Sequence, residues 1–223
     1  MGALNLSLQK FIINNRLINF LFIYLLGLNK IIRRGRNNKL LVFKSLIKFS
    51  EINVKGSLNE ITMSYNTKLY NSKIHINGKN NKVIIRSNVY LDGIDIRLWG
   101  HNNLLVIGEK TTFNTDCKIS IFEGTKLIIG DGCMFSYNVD IRTSDGHPIY
   151  QNKKRINMAS DISIGNNVWV GSHVVITKGS KVSNGSIIGT KSLVNKSYLH
   201  ENSLLVGSPA KVINKEVIWE RDF

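Results

Sequence analysis

From about residue 50 onward, apolar and polar positions recur at one fixed interval. The segments Glu60–Met63, Lys82–Ile85, Leu104–Ile107 and Lys126–Ile129 each begin 22 residues after the one before. Further columns keep the same interval, and their members are Ile52, Ile74 and Ile96; Gly56, Gly78 and Gly100; Asn59, Asn81 and Asn103; Leu91, Phe113 and Phe135. Apolar residues held in register and separated by Gly and Asn turns indicate a solenoid of stacked β-coils.

The repeat shortens to six residues toward the C-terminus. Successive hexads begin at Ile164, Val170, Ile176, Val182 and Ile188. Each hexad has an aliphatic residue first and a small or β-branched residue fifth, so that three hexads form one triangular coil of 18 residues. The sequence therefore predicts an all-β solenoid, a parallel β-helix of 22- and then 18-residue coils, over residues 50–206. Residues 207–223 form a C-terminal tail.

The two cysteines fit a structural role in this repeat. Cys117 and Cys133 fall in different columns, so we expect two packed thiols and no disulfide. A chain of 223 residues with two cysteines suits a reducing compartment such as the cytoplasm.

Charge divides the chain near residue 50. The chain carries a formal charge of +15, and nine of its 30 basic residues precede its first acidic residue, Glu51. The segment Phe11–Ile32 is rich in Phe, Ile and Leu, but its longest apolar run is too short to span a bilayer. We interpret residues 1–49 as a basic helical segment. Two roles stay open for it: a cap or oligomer contact, or an amphipathic anchor on an anionic inner membrane. No basic-aromatic motif of a nucleic-acid reader follows, so no nucleic acid is expected as a partner.

The hexads are interrupted over residues 142–162. This polar loop holds His147 close to Asp145. Loops on rigid scaffolds commonly carry function, and a neutral imidazole suits general-base catalysis near pH 7. Spacing alone does not decide whether His147 is a catalytic residue or an ordinary surface histidine.

Three motifs together resemble one enzyme family. Gly146-His147-Pro148, the run from Ile164 to Ile176, and the run from Gly207 to Ile213 are similar in order and spacing to motifs of the galactoside and maltose O-acetyltransferases. These are hexapeptide-repeat acyltransferases, and the longer coils resemble those of bacterial enzymes that modify capsule or O-antigen. The resemblance covers roughly residues 129–214. It implies a left-handed parallel β-helix, a homotrimer with sites between subunits, acetyl-CoA as the donor and no metal.

The resemblance also assigns residues to roles. His147 is the implied general base, and the implied acetyl-CoA contacts are Trp169, Gly171, Ser172, Gly189, Thr190, Lys196 and Lys211. Thr190 departs from the Ala usual in the family, and each of the two lysines could equally be a solvated corner residue.

Other roles follow from the chemistry and not from the resemblance. Asp145 is the nearest candidate in sequence to fix the tautomer of His147, although a backbone carbonyl would serve, and a backbone N–H of Gly171 or Ser172 is the candidate oxyanion donor. The candidates for binding a sugar acceptor are Asn138, Asp140, Arg142 and Trp99, for which corner or turn roles stay equally open.

The sequence therefore favours an acetyl-CoA-dependent O-acetyltransferase acting on a sugar hydroxyl of a bacterial surface glycan or its precursor. An N-acetyltransferase of a nucleotide-linked amino sugar is the nearest alternative, because it uses the same scaffold and donor. A zinc lyase ranks low, since no two histidines are closely spaced. A non-catalytic solenoid that only binds a ligand is the last alternative.

Overall fold

The computed structural model describes residues 6–23 and 27–221. Two short helices, α1 (Leu6–Asn14) and α2 (Arg16–Leu21), precede a parallel β-solenoid. Each of its eight coils contributes one strand to each of three sheets, which we name A, B and C in the order in which a coil visits them. Within these described residues, neither helix is long and apolar enough to cross a membrane.

The strands of each sheet lie in chain order along the solenoid axis. Sheet A consists of β1 (Lys30–Arg34), β4 (Glu51–Ser57), β7 (Lys73–Lys79), β10 (Asp95–His101), β13 (Lys118–Phe122), β16 (Asp140–Arg142), β21 (Val175–Thr177) and β24 (Leu193–Val194). Sheet B consists of β2 (Lys39–Val42), β5 (Glu60–Met63), β8 (Lys82–Ile85), β11 (Leu104–Ile107), β14 (Lys126–Ile129), β19 (Ile162–Ile164), β22 (Lys181–Val182) and β25 (Ser197–Tyr198). Sheet C consists of β3 (Leu46–Lys48), β6 (Lys68–Tyr70), β9 (Tyr90–Asp92), β12 (Thr112–Phe113), β15 (Met134–Phe135), β20 (Trp169–Val170), β23 (Ile187–Ile188), β26 (Leu204–Gly207) and β27 (Ala210–Asn214).

The core follows the columns that the sequence predicts. Leu91 pairs with Phe113, which pairs with Phe135, and the rings of the two phenylalanines stack 4.0 Å apart. One continuous apolar cluster fills the solenoid from its first coil to its last. Burying apolar surface in every coil is the main force that holds such a stack together, because each coil contacts only its neighbours.

Asparagine and glycine columns form the turns between sheets A and B. The amides of Asn38, Asn59, Asn81 and Asn103 make a ladder, in which the buried Asn59, Asn81 and Asn103 each donate from Nδ2 to Oδ1 of the asparagine one coil before at 2.8 to 3.0 Å. Gly56 has φ +106°, and a Cβ there would lie 1.9 Å from the carbonyl oxygen of Gly78. Only glycine fits at this position, which explains why the column keeps its register.

The two cysteines lie as expected. Cys117 and Cys133 are free, buried and in different columns. Burial raises the pKa of each thiol to about 11, which keeps both protonated at neutral pH. They are core residues and carry no chemistry.

The solenoid starts earlier than the sequence analysis expected. Residues 1–49 were assigned to a helical segment, but β1, β2 and β3 form a complete first coil before residue 50. Lys30 pairs with Glu51 and Lys39 with Glu60, a step of 21 residues, so this coil is out of phase with the later repeat. Arg33 also stands where the next coil has the buried Val54, which hides the apolar column.

The two helices pack on the outer side of sheet C. Ile12, Ile13 and Phe22 form a small second core with Leu46 of the first coil. The side chain of Asn19 donates a hydrogen bond of 2.7 Å to the carbonyl oxygen of Ser45. The part of the segment that is helical therefore caps one face of the first coil.

The C-terminal boundary also differs from residue 206. Strand β26 continues to Gly207 and turns back as β27, its antiparallel neighbour at the end of sheet C. The following residues run back along the solenoid. Trp219 Nε1 donates to the carbonyl oxygen of Asn167 at 2.8 Å, and Arg221 bonds to the carbonyl oxygens of Gly132 and Cys133.

Candidate active site

The loop that holds His147 leaves the solenoid between sheets A and B. It runs from residue 143 to residue 161, between β16 and β19, close to the expected span of 142–162. A two-stranded hairpin, β17 (Tyr150–Gln151) and β18 (Lys154–Arg155), forms its outer half. Asn152 and Lys153 have φ of 50° and 60°, as the two central residues of a tight I′ turn require.

Asn157 organises the loop around His147. Its side chain is buried, and Nδ2 donates to Asp145 Oδ2 at 2.9 Å and to the carbonyl oxygen of His147 at 2.8 Å. Its Oδ1 accepts a bond of 2.6 Å from the backbone N–H of Ile149. These three bonds hold the Asp145 carboxylate and fix the backbone at His147 and Ile149. No sequence pattern indicates this role for Asn157, because an Asn in a polar loop is not distinguished by its spacing.

The Asp145 carboxylate supports the loop and not the imidazole. Lys178 Nζ lies 2.6 Å from Asp145 Oδ2 and reaches it from the next coil. The hydrogen bond from Lys178, followed by that from Asn157, lowers the pKa of Asp145. The sequence analysis expected Asp145 to fix the tautomer of His147. Within the described part of this chain, however, the exposed His147 ring has no hydrogen-bond partner.

A second charged group anchors the base of the loop. Ser144 Oγ donates to Glu123 Oε1 at 2.6 Å, and Arg155 Nη2 lies 2.7 Å from Glu123 Oε2. The Ser144 bond is the main cause that lowers the pKa of Glu123, and Arg155 adds to it. The loop is therefore bonded to the solenoid at two points, Glu123 in the coil before it and Lys178 in the coil after it.

We expect loop order to depend on pH only in acid. Asp145 and Glu123 both have lowered pKa values, so their contribution to loop stability is present above their ordinary values of about 4 and is lost as the pH falls through the lowered values. Hydrogen exchange of amides 143–161, corrected for intrinsic rates, should be unchanged between pH 8 and about pH 5 and rise below about pH 4. Lys178→Met should remove part of the protection at neutral pH. Equal exchange in the wild type and this variant would contradict the assignment.

The residues expected to bind acetyl-CoA lie mainly at another corner, where sheet C passes into sheet A. Gly171 and Ser172 follow β20, and Gly189 and Thr190 follow β23 one coil later. Ser172 Oγ and Thr190 Oγ1 are 3.5 Å apart. The Gly171 N–H donates to the carbonyl oxygen of Ile188, so it is not a free oxyanion donor. The Ser172 N–H makes no hydrogen bond within the described residues and stays available for that role.

The two glycines of this corner differ in how tightly they are packed. A Cβ on Gly171 would lie 2.8 Å from Thr190 N and 2.9 Å from the carbonyl oxygen of Ile188, which are both backbone atoms. A Cβ on Gly189 would meet a methyl group of Val206 at 2.9 Å, and a side chain can move. We therefore expect Gly171→Ala to lower the free energy of unfolding by about 1–3 kcal/mol and Gly189→Ala by less. Urea unfolding of both variants measures this, and the reverse order would contradict it.

The remaining acetyl-CoA candidates divide between the two corners. Lys211 on β27 pairs with Val206 and so lies beside Gly189. Lys196 lies between sheets A and B, on the corner that carries the loop, and its Nζ is 5.7 Å from the Tyr198 ring. Trp169 is on the outer face of sheet C, 6.0 Å from the ring of Trp219 in the tail. The sequence analysis did not single out Trp219, because nothing in its spacing shows that the tail folds back.

The sugar-binding candidates are spread along sheet A. Asp140 and Arg142 form an ion pair with each other, so neither charge is free for a ligand. Asn138 has φ 58° and makes a turn beside His173, whose ring contacts Tyr137 edge-on. Trp99 is half exposed and stacks on Phe122 at 5.4 Å, next to Glu123 at the base of the loop. Of the four, Arg142 lies nearest to the His147 loop, because it ends β16 directly before residue 143 and its guanidinium interacts electrostatically with Asp145.

One chain alone does not bring the two groups together. Strand β21 lies between Ser172 and Lys178, and the six residue steps from one to the other span up to about 20 Å at the rise of a β-strand. No hydrogen bond or ion pair joins the His147 loop to the Gly171–Ser172 corner among the described residues. Those residues also contain no group of three His, Cys, Asp or Glu side chains that could hold a metal ion.

Comparison with known proteins gives one consistent result. No family model matches the chain. The chain is 43% identical over 117 residues to a polysialic acid O-acetyltransferase of Escherichia coli O1:K1 and 41% identical over 117 residues to one of Neisseria meningitidis. Each match covers 52% of this chain, and 38% and 54% respectively of those relatives, so the chain spans about half of their length or less.

A solved structure extends the similarity to most of the fold. The polysialic acid O-acetyltransferase OatWY has a TM-score of 0.79 and 32% sequence identity, and the match covers 87% of this chain and 91% of that one. The likeness confirms the left-handed parallel β-helix that the sequence resemblance implied.

Proposed function

The chain belongs to the hexapeptide-repeat acetyltransferases, and on that premise we propose that it transfers an acetyl group from acetyl-CoA to a hydroxyl group of a capsular polysaccharide. One observation carries the proposal: the His147 ring is exposed, makes no hydrogen bond within the part of the chain that the structure describes, and stands on a loop whose backbone is fixed by Asn157. A base held in place with a free ring nitrogen is what removal of a proton from an incoming hydroxyl requires.

The residues of the chain divide the work of the reaction. The neutral His147 imidazole takes the proton of the acceptor hydroxyl as the sugar oxygen attacks. Acetyl-CoA, when bound, supplies the acetyl group as a thioester, whose bond to sulfur breaks as the ester bond to the sugar forms. The Ser172 N–H faces the charge that develops on the carbonyl oxygen. The protonated His147 then returns its proton to the departing sulfur, so that the base is regenerated.

The corner between sheets C and A fits the donor. Gly171 and Gly189 leave the backbone without side chains there, and an extended pantetheine arm needs such close approach. Lys211 beside Gly189 provides a positive charge for the phosphates of the nucleotide end. Lys196, on the loop corner, would reach the same donor only from a neighbouring chain.

The acceptor is proposed to be an anionic polysaccharide of the polysialic acid type. The named activity of the relatives supports this substrate class. The formal charge of +15 also favours an acceptor that carries negative charges, since it raises the local concentration of a polyanion.

A homotrimer completes the site in this proposal. The His147 loop and the Gly171–Ser172 corner lie on different corners of one solenoid, so a neighbouring chain must supply one of them. The proposal predicts that activity depends on assembly, and light scattering at assay concentrations measures the state. A fully active monomer would contradict it.

Mixing two inactive variants tests the shared site. His147→Ala removes the base, and Gly189→Arg blocks the donor corner, so each parent is expected to be inactive. In randomly mixed trimers, about a quarter of the sites would combine an intact His147 loop from one variant with an intact donor corner from the other. Activity should therefore return to about a quarter of the wild-type value. If the two variants stay inactive after being unfolded and refolded together, the His147 loop and the donor corner of one site come from the same chain.

Release of free CoA thiol measures the proposed reaction. With acetyl-CoA present, we expect thiol release to depend on added polysialic acid and to be lost in His147→Ala. A nucleotide-linked amino sugar as acceptor tests the N-acetyltransferase alternative. Release with the amine and not with the polysaccharide would replace the proposal, and absence of any acceptor-dependent release would leave only a binding protein.

A further inference from the structure

We propose that the N-terminal end of the solenoid, made by α1, α2 and the first coil, binds the surface of a bilayer that contains anionic lipids. This N-terminal face lies apart from the candidate active site, and the inference does not depend on the proposed reaction. It rests on three observations: exposed apolar side chains, an unbalanced positive charge and an apolar groove.

Large apolar side chains stand exposed on the two helices. Leu6 is 70% exposed, Leu17 is 68% and Phe11 is 57%. The helices already bury Ile12 and Ile13 against Leu46, so their inward face is satisfied. A helix on a protein surface ordinarily turns polar residues outward. The outer face of these helices combines exposed apolar side chains with polar ones such as Lys10 and Asn14, and its apolar part indicates that it meets a second apolar medium.

The first coil continues the same surface. Leu28, Leu41 and Phe43 are exposed although they belong to or border the first strands. An apolar groove of about 660 Å³ lies between the helices and the coil, and Phe20, Val42 and Tyr65 help to line it. Lys44 is a charged residue in this lining. A groove of this composition suits an acyl chain near a negatively charged headgroup.

The charge of this face is positive throughout. Arg33, Arg34, Arg36 and Lys39 are exposed, and Lys10 and Lys44 are exposed with them. No acidic residue precedes Glu51, whose Oε1 lies 3.5 Å from Lys30 Nζ and 3.5 Å from His75 Nε2 of the next coil. Among the described residues the other cations of this face have no ion-pair partner. Exposed Lys and Arg beside exposed Leu and Phe is the pattern of a surface that binds anionic lipid.

A bilayer fits these observations better than other occupants. A soluble polyanion would use the cations but would leave Leu6, Phe11 and Leu17 in water. A second copy of the chain would bring the same positive charge against itself, because the face contains no acid to pair with. Only a surface with negative headgroups and an apolar interior satisfies both sets of side chains.

Vesicle co-sedimentation of the full chain tests the inference. Vesicles of phosphatidylcholine with phosphatidylglycerol should bind the wild type at low salt, vesicles of phosphatidylcholine alone should not, and salt near about 1 M should release it. The triple variant Arg33→Glu, Arg34→Glu, Arg36→Glu should bind at least about 100-fold more weakly, the loss expected when three basic residues no longer face an anionic surface.

A matched variant controls for overall charge. Lys110→Glu, Lys181→Glu, Lys215→Glu changes the net charge equally, at exposed lysines outside the N-terminal face, and should retain most binding. Equal loss in the two triple variants would show attraction by bulk charge only and would overturn the inference. Leu6→Ser, Phe11→Ser, Leu17→Ser should weaken binding with the helical circular dichroism unchanged.

Two other results would also overturn it. If the wild type fails to sediment with anionic vesicles at low salt yet binds dextran sulfate through Arg33, Arg34 and Arg36, the face serves a soluble polyanion. If the serine variant changes the oligomeric state in light scattering without changing vesicle binding, the face joins copies of the chain.

Discussion

His147→Ala is expected to lower the turnover number by at least about 100-fold, because the acceptor hydroxyl would lose its general base. The substitution removes an exposed ring that makes no hydrogen bond, ion pair or ring contact in the described chain, so folding and acetyl-CoA binding should be retained. Steady-state kinetics with saturating acceptor measure the effect.

His200→Ala is the matched control for this variant. His200 is also exposed, and its Nδ1 lies 2.8 Å from the carbonyl oxygen of Glu201 at another corner of the solenoid. Its loss should leave turnover within about twofold of the wild type, since surface substitutions away from a site usually change little. Near-normal turnover in His147→Ala would remove the proposed base.

Phe135→Ala is expected to give the largest loss of stability. Phe135 is fully buried in the middle of the stack, and its ring lies on that of Phe113 at 4.0 Å with 5° between the planes. Removing it leaves a cavity that the rigid coils cannot close, at a cost of about 3–5 kcal/mol in the free energy of unfolding. Urea unfolding monitored by circular dichroism measures the cost.

Phe122→Ala provides the comparison for that core substitution. Phe122 stacks on Trp99 on the outer face of sheet A, where neither ring fills the core. Its loss should cost about 0.5–1.5 kcal/mol, the worth of an aromatic pair. If the two variants lost equal stability, the Phe113–Phe135 column would not be the packed centre of the solenoid.

The regular part of the fold could be predicted from the sequence because every coil repeats the same packing problem. Ile96, Leu91 and Asn81 each lie in the column that the 22-residue period assigns to them. The hexads from Ile164 onward were equally visible, since each coil corner needs a small residue over a large one. Repetition therefore gave the sheets, the core and the position of the loop.

The irregular parts could not be predicted, because no repeat marks them. The first coil is one residue short and places Arg33 in an apolar column, so the sequence pattern predicts helix where the structure has strands. The tail returns to the solenoid through Trp219 and Arg221, two contacts that depend on tertiary packing alone.

The candidate site divides in the same way. Motifs located His147 and Gly171, but the side chains that hold the loop, Asn157 and Lys178, come from positions without a pattern. Asp145 is close to His147 in sequence, yet its carboxylate turns to Lys178. The position of Asp145 in the sequence therefore indicated the correct loop, but the contact expected with the His147 ring is not formed.

The most direct test follows the acetyl group itself. The protein is incubated with polysialic acid and acetyl-CoA carrying a ¹³C-labelled acetyl group, and the polymer is then examined by NMR and mass spectrometry. The account predicts label on the polymer as an ester that mild base removes, and none with His147→Ala. Label that stays in acetyl-CoA or appears only as free acetate, or label held as a base-stable amide, would contradict it.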